Sequence, residues 1–173
     1  MALYLAKPAR RHRRAWIALC RDFEQAGEKA HFGIGPCKNF GHFLRKSKNA
    51  PKGRGLPEGF VPSSVFFLME QGHPNILGIF SIRHELTDRL LHLGGNIGYA
   101  IAPSERRRGY AMEQLRLGLE ICRSMSINRV LITCKKENVP SAKVIVKNGG
   151  VLEDERLDEQ AQKIFQRYWI DLT

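Results

Sequence analysis

The stretch Ile97-Gly98-Tyr99-Ala100-Ile101-Ala102-Pro103-Ser104-Glu105-Arg106-Arg107-Arg108-Gly109-Tyr110-Ala111 decides the reading of this 173-residue chain. An apolar strand runs into Pro103, a short loop follows with three arginines and a glycine, and a helix opens. Backbone N–H groups at a helix start form an anion cradle, reinforced by the positive end of the helix dipole. Gly109 lets the backbone come close to a phosphate and take positive φ, and Ala111 is too small to obstruct. The guanidinium groups of Arg106, Arg107 and Arg108 add charge-assisted contacts. The same residues also suit a plain, exposed basic cap, and the loop's physics does not separate the two readings.

Working outward, the helix after the loop carries Met112, Leu115, Leu119 and Cys122 at helical spacing, with Glu113, Arg116, Glu120 and Arg123 on other faces. Val130 to Cys134 is a β-branched strand. Asn138 caps a helix running through Lys147, with Pro140 in its first turn and Gly149 past its end. Val151–Arg156 and Phe165–Leu172 close the chain as two strands. Upstream, Val65–Met69, Ile76–His84 and Asn96–Ile101 read as strands, with a loop or short helical turn from Thr87 to Leu93. Leu3–Ala6 is a short first strand, and a helix runs from Arg10 to about Ala26. Residues 27–64 are rich in Gly, Pro, Lys and Asn, with one helix around Phe40 to Lys48. A strand–helix–strand unit among hairpin-connected strands implies a mixed sheet with helices packed on it.

Composition agrees with one globular domain spanning 1–173, at 43% hydrophobic and 26% charged residues. No run approaches a membrane span, and the N-terminus puts its short apolar stretch before its charge, opposite to a secretory signal. A cytoplasmic protein is expected. Cys20, Cys37, Cys122 and Cys134 show no metal-ligand spacing, and neither a disulfide nor a metal is expected. The formal charge of +11 is uneven: residues 1–54 hold 13 Lys/Arg against 3 Asp/Glu, and residues 55–173 hold 15 against 14. Such a field attracts anions, or it is a solvated basic face.

Arg106-x-x-Gly109-x-Ala111, after a strand and opening an amphipathic helix, resembles the acyl-CoA signature of the GNAT superfamily of N-acetyltransferases. Val61-Pro62-Ser63-Ser64, Ile82-Arg83-His84-Glu85-Leu86, Pro103-Ser104-Glu105-Arg106-Arg107, Leu131-Ile132-Thr133-Cys134 and Lys147-Asn148-Gly149-Gly150-Val151-Leu152-Glu153 resemble a bacterial group of predicted acetyltransferases within it. The likeness is close over residues 56–173 and loose before them. It implies an α/β (α+β) GNAT fold with a mixed, mostly antiparallel sheet of six to seven strands and helices on both faces. It also implies direct transfer from acetyl-CoA, as cosubstrate and without a metal, to a primary amine. The strands at 96–101 and 130–134 would splay apart around the pantetheine arm, bonded near Ile101 and Ala102. The pyrophosphate would sit over Arg106, Arg107, Arg108, Gly109, Tyr110 and Ala111, with Asn138 and Ser141 facing the pantetheine and sulfur. Residues 1–64 would border the acceptor and 65–173 form the CoA-binding core.

Amine acetylation needs deprotonation of an ammonium, a donor for the oxyanion and a proton for the thiolate. Glu85, acting through water, is the first candidate base and His84 the second. An ion pair of Glu85 with Arg83 or Arg89 competes with that role. The family's tyrosine seven residues after the asparagine is replaced here by Ile145, which leaves Ser141, water or no group as the acid. Phe32, Phe40 and Phe43 cover the sheet or line an acceptor pocket. The acceptor is a small-molecule or peptide amine, anionic if the basic third borders it. A homodimer is compatible with the sequence, and a membrane partner is not expected. Two alternatives remain. One is a basic nucleic-acid-binding module, disfavoured by the lack of any reader motif. The other is a CoA-binding protein without catalysis.

Overall fold

The computed structural model describes residues 2–28 and 39–173. Seven strands form one sheet: β1 (Leu3–Ala6), β2 (Ser63–Glu70), β3 (Gly78–Arg83), β4 (Ile97–Ile101), β5 (Arg129–Lys135), β6 (Val151–Asp158) and β7 (Lys163–Asp171). Their order is β1-β2-β3-β4-β5-β7-β6. All neighbours are antiparallel except β4 and β5, which run parallel and share a single register position, Ile97 opposite Ile132. This is the mixed, mostly antiparallel sheet that the resemblance implies.

Helices cover both faces. In β2 successive side chains point to opposite sides. Phe67 and Met69 meet α1 (Arg13–Gln25) and α2 (Phe40–Asn49) through Trp16, Leu19, Phe23 and Phe43. Trp16 stacks on Phe43 with ring centroids 4.2 Å apart. On the other face Phe66 and Phe80 pack with Leu115, Leu119 and Cys122 of α4 (Tyr110–Ser124) and with Ile145 of α5 (Val139–Lys147). The short α3 (Asp88–His92) precedes β4, with the Thr87 side chain accepting from Leu90 N–H as its cap. Gly118 sits mid-helix because a Cβ there would overlap the Phe80 ring.

One sequence expectation changes. Cys20 is disulfide-bonded, which corrects the expectation of no disulfide, whereas Cys122 and Cys134 are buried free thiols. In the closing hairpin Glu153 and Asp154 neutralise the buried Arg167, whose guanidinium lies 2.9 Å from Glu153 and 2.8 Å from Asp154. Cys37 and Phe32 lie outside the described residues. Among the described residues no helix is long and apolar enough to cross a membrane. No group of three or more potential ligands among them could hold a metal ion.

Candidate active site

The site begins where the β4–β5 ladder stops. At its closed end Asn96 is buried and ties three strands together. Its amide donates to Leu131 O at 2.7 Å, its Oδ1 accepts from Leu131 N–H at 2.9 Å, and its Nδ2 donates to Arg83 O at 3.2 Å. Gly95 precedes it at φ 63°, where a Cβ would overlap the Leu131 carbonyl. Beyond Ile97 and Ile132 the strands are no longer paired.

Register decides which backbone groups face that gap. Arg83 N–H donates to Asn96 O, and Ala102 N–H to Leu77 O, so the even-numbered residues of β4 bond towards β3. Tyr99 and Ile101 therefore direct their amides towards β5, into the split. Ala102 is committed twice, since its carbonyl also accepts from Glu105 N–H at 2.8 Å. The backbone donors that face the split are thus those of Tyr99 and Ile101, whereas both backbone groups of Ala102 are bonded within the chain.

At the β4–α4 turn, Gly109 caps the helix with φ 81° and no heavy atom within 4 Å of its would-be Cβ. Arg107 also takes positive φ, 64°. The amides of residues 107–109 find no backbone acceptor among the described residues, and those of Tyr110 and Ala111 open the helix without an intrahelical one. The turn is therefore a cluster of free donors. Its arginines are partly engaged. Arg106 forms a two-pronged pair with Glu28 at 2.6 and 2.7 Å, and its Nε donates to Ile101 O at 3.3 Å. Arg108 pairs with Glu105 at 2.9 Å, and Arg107 has no ion pair among the described residues.

Across the split, Asn138 caps α5, its Oδ1 accepting from Ser141 N–H at 3.2 Å. Ser141 Oγ lies 2.9 Å from the Tyr99 hydroxyl. Burial pushes the Tyr99 hydroxyl up to about 12, so it is protonated at neutral pH. Burial likewise raises the neighbouring Cys134 thiol. Ile145 is fully buried in the core, and a Cβ on Gly150 would overlap it. The position where the family carries tyrosine is here a packing position, and the phenol in the split comes from β4 instead.

A cavity of about 940 Å³ opens from this point, reaching from Tyr99, Asn138 and Ser141 to α2 and the 54–60 loop. Phe43 edges it while also packing on Trp16. Glu85 and His84 are not on its wall. Glu85 is exposed in the bend after β3, and no ion pair joins it to Arg83 or Arg89 among the described residues. His84 donates its amide to Pro62 O and turns its ring to Ser64, with Nε2 2.9 Å from Oγ. The wall carries His42 and Arg83 instead. Alternation along β4 was the one sequence signal pointing to Tyr99. Nothing local marked Asn96 or Arg83.

A split parallel pair, a donor-rich turn opening a helix and a cavity at the split define an acyl-CoA-type transferase fold. The model for the acetyltransferase (GNAT) domain matches residues 3–151, and the chain belongs to that family of acyltransferases. The "Uncharacterized N-acetyltransferase YnaD" of Bacillus subtilis (strain 168) is 37% identical over 54 residues, which span 31% of this chain and 32% of that protein. RimL, a ribosomal L7/L12 alpha-N-protein acetyltransferase solved with coenzyme A, superposes with TM-score 0.74 at 15% identity, covering 99% of this chain and 95% of that one. The microcin C7 self-immunity acetyltransferase MccE, solved with acetyl-CoA and AMP, gives 0.71 at 15%, covering 98% and 92%.

Proposed function

We propose that the protein transfers an acetyl group from acetyl-CoA to a primary amine. The observation that carries this is the unpaired stretch of β4 and β5, bounded at one end by free amides and at the other by a hydroxyl pair. The residues fit the cosubstrate. Amides of residues 107–111, with Arg106, Arg107 and Arg108, suit a pyrophosphate, and those of Tyr99 and Ile101 suit the amide groups of a pantetheine arm. Acetyl-CoA supplies an activated acyl group and a thiolate leaving group. Asn138 orients Ser141, and the protonated Tyr99 hydroxyl with Ser141 Oγ donates where negative charge gathers on sulfur.

Proton removal from the ammonium falls to water or to His42 on the wall, with Glu85 reached only through solvent. The wall's positive charge assists, because a like charge disfavours the protonated amine. Structurally similar proteins named as protein and spermidine acetyltransferases make an amine acceptor the natural class.

The experiment is thermal unfolding with and without acetyl-CoA, followed by an amine screen with radiolabelled acetyl-CoA. Ligand-dependent stabilisation is expected. Arg106→Ala with Arg108→Ala should weaken it without unfolding the protein. Unchanged affinity in that double variant would displace the pyrophosphate from the turn, and no stabilisation at all would remove the transferase reading. Steep salt-dependent nucleic-acid binding without a response to acetyl-CoA would favour the basic-module alternative.

A further inference from the structure

We propose that the cavity beyond the split is an oxyanion-binding site, so that the acceptor is an amine carrying a carboxylate or phosphate. This deepens the acetyl-transfer reading and rests on it. The overall charge of the first third only suggests an anion. The wall of the cavity argues for one. Among the described residues its charged side chains are Arg45, Lys46, Arg54 and Arg83, with no aspartate or glutamate.

Arg83 is the decisive residue. It ends β3 opposite Ser63, and both line the cavity. Its Nη1 donates to two peptide carbonyls, Gly94 O at 3.2 Å and Gly95 O at 3.0 Å, and no carboxylate pairs with it among the described residues. Residues 29–38, outside the description, contain no Asp or Glu that could do so. The chain treats its other inward arginine differently, since Arg167 is held by both Glu153 and Asp154. A guanidinium partly removed from water and left without a counter-charge is costly, and an anionic ligand would supply the missing partner. Burial alone lowers the affinity of Arg83 for its proton, which is the signature of that missing charge.

The other cations share the feature. Arg45 Nη2 lies 3.1 Å from His42 Nδ1, and none of Arg45, Lys46 and Arg54 has an ion pair among the described residues. Exposed cations elsewhere are of both kinds, Arg106, Arg108 and Arg116 each paired with an acid and Arg107 with none among the described residues, so it is the shared wall rather than the lack of a partner that sets these three apart. The wall thus gathers four cations around one cavity and, among the described residues, no acid. They are not needed for the cosubstrate's phosphates. The donor-rich turn lies past the other end of β4, and none of residues 101–111 lines the cavity. With about 940 Å³ available, the site has room for a compact acceptor beside the arm. A guanidinium binds carboxylate and phosphate oxygens with the same fork, so the shared chemistry is an oxyanion near a primary amine.

The test compares matched acceptors: β-alanine against β-alaninamide, and O-phosphoethanolamine against ethanolamine, each with acetyl-CoA. The anionic member should be favoured about 10- to 100-fold in kcat/KM in at least one pair, the range of a charge-assisted hydrogen bond. Which pair responds tells carboxylate from phosphate. Arg83→Gln should reduce the preference to within about threefold, as expected from losing that bond, with stabilisation by acetyl-CoA unchanged. Arg54→Gln, at an exposed position, serves where Arg83→Gln does not fold. Equal turnover within both pairs, or a preference intact in the variants, overturns the proposal. Calorimetric titration of O-phosphoethanolamine and β-alanine into CoA-saturated enzyme reads the site without turnover. Saturable binding that weakens at least about tenfold in the variants supports the anion site even if no acetyl transfer occurs, in which case only the transferase reading fails. No saturable binding of either compound overturns the anion site itself.

Discussion

Replacing Asn96 with alanine should destabilise the protein more than any other single change of comparable size near the site. The side chain supplies two hydrogen bonds, accepting from Leu131 N–H at 2.9 Å and donating to Arg83 O at 3.2 Å. Leu131 is fully buried and Asn96 is 3% exposed, so water has no easy route to the abandoned amide. A buried group left unpaired costs about 1–3 kcal/mol. Arg83 is half-buried and its carbonyl can be partly rehydrated, which puts it at the low end. The sum is about 3 kcal/mol, a sizeable part of the roughly 5–15 kcal/mol that holds a domain together. For a chain of this length it corresponds to a fall in Tm of about 6–12 °C. Urea unfolding followed by tryptophan fluorescence reads it directly, as a lower midpoint with an unchanged slope. A loss under about 1 kcal/mol would refute the reasoning. It would mean that the Leu131 amide finds another acceptor and that the closed end of the split does not depend on Asn96.

Tyr99→Phe should lower kcat about 10²-fold, the low end for general acid catalysis, while acetyl-CoA affinity stays within a few fold; unchanged kcat in steady-state assays would show that the thiolate leaves without this hydroxyl. Gly118→Ala adds a methyl group against the Phe80 ring, and should cost about 1–3 kcal/mol by overpacking, measured by thermal unfolding. Stability should also fall in mild acid through His12. Burial lowers its pKa from the ordinary 6.5, and its Nδ1 accepts from Ala9 N–H at 3.1 Å. The unfolded chain therefore binds the proton more readily. The contribution is fully present above 6.5 and is lost as pH falls from there through the depressed folded value. Burial lowers His84 in the same direction. Urea midpoints at pH 7.5 and pH 5 should differ in wild type and differ less in His12→Asn; an equal drop in both would remove His12 as a cause.

Much of the fold was legible because its signals are local. The strand–loop–helix at 97–124, the Asn138 cap and the closing hairpin each declare themselves within about a dozen residues. Strand ends were less legible because partners set them. β2 begins at Ser63 rather than Val65 because Ser63 and Ser64 pair with Arg83 and Ile82. β6 runs on to Asp158 because β7 continues to Lys163 opposite it. At the site the same division appears. The Arg106–Ala111 turn is contiguous in sequence, but Tyr99 meets Ser141 across 42 positions. Glu85 looked like a base because it follows a central strand. The strand ends at Arg83, and the chain bends away before Glu85 can face the cavity. A disulfide at Cys20 has no local mark either.

An interrupted ladder leaves polar backbone groups that must be satisfied somehow. In this chain the closed end of the interruption is satisfied internally, by one asparagine bridging β3 and β5. The open end is not, because the register turns the Tyr99 and Ile101 amides into the gap. Further along the cavity Arg83 carries a charge that no carboxylate among the described residues neutralises. The reading proposed above assigns the first deficit to an amide-bearing arm and the second to an anionic acceptor. It follows that the two ligands relieve different costs at neighbouring places. Ordering of the split by the first should favour the second, since the wall shared by Tyr99 and Ser141 is then already fixed. Acceptor affinity should therefore be higher in the CoA-loaded protein than in the free one, and by linkage the acceptor should tighten CoA by the same factor.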